Sequence, residues 1–137
     1  MKAMRYVDLE SPPNRLAAEM IGDSAGAEAL HGRAMRKGTV SGGWFSFARA
    51  SFGLARVADN RVIEWIKTGS LGGFSFRPVD PAYAYKVWTR VDSRDGRGPQ
   101  WLSARVQADE DGEFVIEIWP YPDQPNRLLM ITHPGSV

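Results

Sequence analysis

Four carboxylates crowd the run "QADEDGEF": Asp109, Glu110, Asp111 and Glu113. A divalent cation or a cationic partner would be attracted to such a cluster. A calcium loop spaces its oxygens as Asp-x-Asp-x-Asp-Gly, and that spacing is missing here. The segment reads as a solvated turn in which Asp111-Gly112 favours the positive backbone angles of a tight hairpin. The only histidines, His31 and His133, lie toward opposite ends of the chain, without the HExxH spacing of a metal centre. Ser46, Ser51 and Ser103 sit in no Gly-x-Ser-x-Gly elbow. The run "TGSLGG" at 68–73 lacks the GxxxxGKS of a phosphate cradle. These patterns predict no metal, no cofactor and no catalytic residue, so enzyme is the minority reading.

The chain has 137 residues, a single-domain length with room for one core, and 1–13 reads as an arm closed by Ser11-Pro12-Pro13. It contains no Cys, which excludes disulfides, thiolate nucleophiles and Cys-ligated metals. Seventeen basic and 16 acidic side chains leave a net charge of +1, so no global field draws the chain to nucleic acid or anionic lipid. Asp8 and Glu10 interrupt the start before any apolar run of signal-peptide length, and no stretch approaches the roughly 20 apolar residues of a membrane span. The expectation is a cytoplasmic protein with no membrane partner. A local nucleic-acid surface would use Arg49, Arg56, Arg61, Arg77 and Arg105 with Trp44, Trp65 and Trp101 as stacking partners. No RNP-like signature accompanies them, the charge is balanced, and isolated strand arginines read as the polar side of a half-buried sheet, so nucleic acid is not the expected partner.

The elements that would carry these residues follow from periodicity. Leu16, Ala17, Met20 and Ile21, then Ala27, Leu30 and Ala34, have helical spacing and predict one broken helix or two short ones. "WFSFARASFGLARV" alternates as a strand whose apolar parity changes between Phe47 and Phe52, which predicts a bend near 49–51. Ala58-Asp59-Asn60 is a turn, and "RVIEWIK" should pair back as a hairpin. Asp80 as cap, Pro81 in the first turn and Ala84, Val87, Trp88 and Val91 on one face predict a helix over about 80–91. Leu102 to Ala108 and Phe114 to Ile118 alternate as the two arms of a hairpin around the acidic turn, which the prolines beyond Trp119 should end. "RLLMITH" adds a last short strand or tail. The sum is an α+β domain with N-terminal helices and one helix packed on a mainly antiparallel sheet of about five or six strands.

"PAYAYKVWTRV" as an amphipathic helix, the loop "DGRGPQW", a strand opening on Trp101 in Trp-x-Ser-Ala, and "DEDGEFVIEIWPYPDQP" form a pattern over residues 80–126. It resembles the small bacterial immunity proteins of the YezG-like group and their neighbours in polymorphic toxin systems. Asp123 and Pro125 stand where that group has an acidic strand-end segment. The resemblance implies stoichiometric binding and neutralisation of a cognate toxin domain, with no catalytic residues to transfer. A face for such a partner would combine Trp119, Tyr121 and Asp123 with the acidic turn Asp109, Glu110, Asp111 and Glu113. Alanine at Asp109, Glu110 and Asp111 together should then weaken partner binding and leave folding intact. Two alternatives stand beside it: the single-stranded nucleic-acid surface, and a small-molecule pocket or active site between helix and sheet.

Overall fold

The structure, a computed structural model, describes residues 27–37, 44–92 and 98–135. Among them there is no helix: nine strands, β1 (Glu28–Lys37), β2 (Trp44–Ser46), β3 (Ser51–Arg56), β4 (Val62–Lys67), β5 (Gly73–Val79), β6 (Tyr85–Asp92), β7 (Pro99–Arg105), β8 (Glu113–Tyr121) and β9 (Gln124–Pro134), form two sheets. The fold is all-β, which overturns the α+β expectation. The arm at 1–13, the helical pattern at Leu16–Ile21 and the break around 38–43 lie outside the described residues.

Two segments expected as helices are strands. In β6, Tyr85, Val87 and Thr89 are buried against one side while Trp88 packs on the other, so the chain has an apolar residue on each face of a strand. Counting Val87 and Trp88 together mimics a helical stripe, yet the β-branched and aromatic content suits an extended chain. Asp80 does not cap a helix. Its Oδ1 accepts the Ala82 amide at 2.9 Å and its carbonyl accepts the Tyr83 amide at 3.2 Å, a turn that delivers the chain into β6. In β1 the apolar set Leu30 and Ala34 is likewise read from a strand, with Gly32 between them set against the Phe114 backbone of β8. Pairing on both edges outweighs the helical preference of Ala and Leu there, which Gly32 already weakens.

In the first sheet β1 is central. It runs parallel to β8 from His31↔Glu113 to Arg36↔Ile118, and its other edge is shared by β5 and β2, both antiparallel. β9 pairs antiparallel to β8 on the far side. The second sheet has the order β4-β3-β6-β7, all antiparallel. The β3–β4 hairpin forms as expected, and Arg49, at φ 54°, marks the bend between β2 and β3. The strands on either side of the acidic turn do not pair with each other: β7 joins β6, and β8 joins β1 and β9. The alternation identified two strands, the first ending at Arg105 rather than Ala108, but placed them in one hairpin, whereas the turn carries the chain from one sheet to the other. Pro120 does not end β8. It lies beyond Ile118, the last residue of β8 paired with β1, so no ladder bond to β1 is lost at the proline.

Phe52, Leu54, Val87 and Leu102 from the second sheet meet Phe74, Phe114, Ile116 and Met130 from the first in one buried core. Phe114 packs edge-on to Phe74 with ring centroids 5.1 Å apart. Burying each such side chain stabilises by about 1.5–3 kcal/mol. Side chains also stitch the sheets at their edges. Gln100 of β7 accepts the Leu128 amide of β9 at 3.1 Å, and Thr132 accepts the Gln107 amide at 3.0 Å while donating to the Arg105 carbonyl. At the other seam Glu64 of β4 accepts the Arg77 amide of β5 at 2.7 Å.

Candidate functional site

Alternation along β1, β8 and β9 turns Gly32, Ala34, Phe114, Ile116, Ile118, Leu128 and Met130 inward. The intervening residues must then share the outer face of the first sheet. There, Glu113 lies opposite His31, Glu117 lies between Met35 and Ile131, and Trp119 lies opposite Leu129.

Glu117 is only 8% exposed and its carboxylate is engaged on both oxygens: Oε1 accepts the Trp119 indole N–H at 2.9 Å, and Oε2 pairs with His133 Nε2. A carboxylate this far from water requires such partners. Their effect is to fix the Trp119 ring. Lys37 lies over that ring with Nζ 4.0 Å from its centroid, and the Arg127 guanidinium lies 4.5 Å from the centroid of Tyr121. Beside Trp119, Leu129 and Ile131 keep 38% and 37% of their surface in water. A rigid aromatic next to two exposed aliphatics, bordered by Lys37, Glu117, His133 and Arg127, has the composition of a protein-binding surface.

At the other end of β8, His31 Nδ1 stands 3.6 Å from Glu113 Oε2. A shallow depression of about 270 Å³ opens there between His31, Arg33, Gly73, Glu113 and Gly135. It is open and smaller than most ligand pockets. The pocket expected between helix and sheet has no counterpart, because the described residues contain no helix.

The seven candidate residues divide into two groups. Trp119 and Tyr121 belong to the aromatic end, and exposed Asp123 lies in the β8–β9 turn just beyond it. Asp109, Glu110, Asp111 and Glu113 cluster at the start of β8, with Glu113 roughly 20 Å from Trp119 and roughly 26 Å from Tyr121 at about 3.3 Å per strand residue. Asp109 is part of the turn's framework: Oδ1 accepts the amides of Asp111 and Glu113, both at 2.9 Å. Replacing it with alanine would not leave folding untouched, which corrects the expectation for the triple change. Glu110 and Asp111 are exposed and remain available to a partner.

Lys37, Glu117, Leu129 and Ile131 were not singled out from sequence, and His133 was weighed there only as a metal ligand. The nearest signal was "RLLMITH", whose apolar residues fall on both parities, as they do in a strand with contacts on two faces. Of the proposed nucleic-acid residues, Trp65 and Trp101 meet on the outer face of the second sheet. Arg56 is paired with Asp59 at 2.8 Å and Arg77 with Glu64 at 3.6 Å. The side chain of Trp44 lies outside the described residues. The segment read as the helix of the immunity-protein pattern is strand β6. Comparison with protein-family models, with curated proteins and with solved structures finds no match to this chain.

Proposed function

We propose that the protein acts by binding another protein through the outer face of its first sheet. The observation that carries this reading is the contiguous set of Trp119, Leu129 and Ile131, with the ring held by Glu117 and the aliphatics more than a third exposed. Binding energy concentrates where a preorganised aromatic and adjoining aliphatics can be covered together, because little side-chain freedom is lost on docking. Lys37, Arg127 and His133 would orient the partner from the rim.

The finer reading is that of a cytoplasmic immunity protein, whose partner is a toxin domain that it neutralises stoichiometrically. It rests on the resemblance carried by residues 80–126, without the helix. Glu110 and Asp111 would then offer charge to a basic partner from the acidic end. The test is rescue: express the toxin domain encoded beside this gene with and without the protein, and count surviving cells. Protection with a stable 1:1 complex supports the immunity reading. A harmless neighbour, or no protection, removes that reading and leaves the broader protein-binding proposal to be tested on its own.

A further inference from the structure

The outer face of the second sheet has a different chemistry. Register places Trp65 opposite Gly53, Trp88 between Gly53 and Ser103, Arg90 opposite Trp101, and Lys86 opposite Arg105. Gly53 makes this surface possible: an added Cβ would lie 3.0 Å from the Trp65 ring, so the indole rests directly on the bare backbone. Trp101 stands edge-on to both neighbours, 6.4 Å from Trp65 and 6.3 Å from Trp88. Trp88 is buried at 1% exposure and its indole N–H donates to Asn60 at 3.0 Å, which makes it the foundation of the cluster. Trp65 and Trp101 remain partly exposed.

Lys67, Arg90 and Arg105 are exposed on this face, and no carboxylate among the described residues pairs with them. Lys86 lies with Nζ 5.1 Å from the Trp88 ring centroid. By register the one acidic residue on this face of the four strands is Asp92, at the far end of β6, whose side chain lies outside the described residues; the other outward side chains include no Asp or Glu, although the whole chain is nearly neutral at +1. Basic charge is therefore gathered beside partly exposed aromatic rings. An anionic lipid surface or an acidic peptide would also complement the cations, but neither offers flat faces to stack on adjoining rings. A single nucleic-acid strand carries both complements at once, phosphates for the cations and unstacked bases for the indoles.

We infer that the Trp65–Trp88–Trp101 face, with Lys67, Lys86, Arg90 and Arg105, binds single-stranded nucleic acid. The site is independent of the protein-binding face, which lies on the outside of the other sheet. Base stacking on Trp65 and Trp101 supplies sequence-tolerant affinity, and the cations follow the backbone.

The experiment is a titration of the whole protein with a fluorescein-labelled oligothymidylate at about 50 mM salt, reading anisotropy and tryptophan quenching. A duplex of equal length and polyglutamate serve as competitors. Binding with quenching is expected, with affinity falling as salt rises. The double variant Arg90→Gln, Arg105→Gln should lower the slope of log affinity against log salt by about 0.7 for each phosphate it no longer neutralises. Trp101→Ala should weaken binding roughly ten-fold or more. If that variant fails to fold, the exposed arginine variant alone decides. No binding, an unchanged salt slope in the arginine variant, or equal competition by duplex or polyglutamate overturns the inference.

Discussion

Gln100 of β7 and Leu128 of β9 meet across the seam between the two sheets, the side-chain oxygen of the first accepting the backbone N–H of the second at 3.1 Å. Both residues are at most 1% exposed, so neither group has water to fall back on. Edge strands usually leave backbone donors that other chains can capture. Here a side chain occupies one of them. Changing Gln100 to Leu keeps much of the volume but orphans the Leu128 amide, and should cost about 1–3 kcal/mol. Chemical denaturation would show it, and hydrogen exchange at Leu128 should accelerate more than at Ile116 in the sheet interior.

The acidic turn separates framework from surface. Asp109→Ala removes the acceptor for two amides and should destabilise by about 1–3 kcal/mol at roughly 0.5–1.5 kcal/mol per hydrogen bond. Glu110→Ala with Asp111→Ala should stay within about 0.5 kcal/mol of the parent. Thermal melts of the two variants, side by side, check the division.

Much of this was legible before the fold. The bend at Arg49, the β3–β4 hairpin, the turn at Asp111-Gly112 and the inward sets Leu102–Ala108 and Phe114–Ile118 follow from local alternation and turn chemistry. Long-range pairing was not legible. The parallel pairing of β1 with β8 brings His31 beside Glu113 across most of the chain, and nothing local specifies it. β6 failed for a different reason: with Trp88 outside and Val87 inside, its two apolar layers imitate the stripe of a helix. The candidate site suffered from both, since Lys37 comes from β1 while Leu129 and Ile131 come from β9.

Tyr85 makes stability depend on alkaline pH. Burial, reinforced by the negative charge of Asp80, pushes its phenol above the ordinary value of 10.0, and the hydroxyl donates to the Asp80 carbonyl at 2.9 Å. Because the folded state holds this proton more tightly than the unfolded chain, the contribution is complete below about pH 10 and is lost as pH rises through the elevated folded value. Tyr85→Phe should lower stability near neutrality by about 0.5–1.5 kcal/mol. It should also flatten the alkaline decline, as Tm measured from pH 8 to 11.5 would reveal.

Under the proposed function, Trp119, Leu129 and Ile131 anchor a protein partner. The affinity of that partner, isolated by co-purification and measured by calorimetry, for the double variant Leu129→Lys, Ile131→Lys tests this anchoring, because a cation at 131 faces the Glu117 carboxylate across the ladder and leaves the fold undisturbed. Both side chains are more than a third exposed, so the variant should melt close to the parent. Two charges placed against a covered apolar surface should weaken binding by at least about 100-fold, the scale of a lost hot spot. A variant that folds like the parent and binds its partner with unchanged affinity would contradict the account and move the interface elsewhere on the molecule.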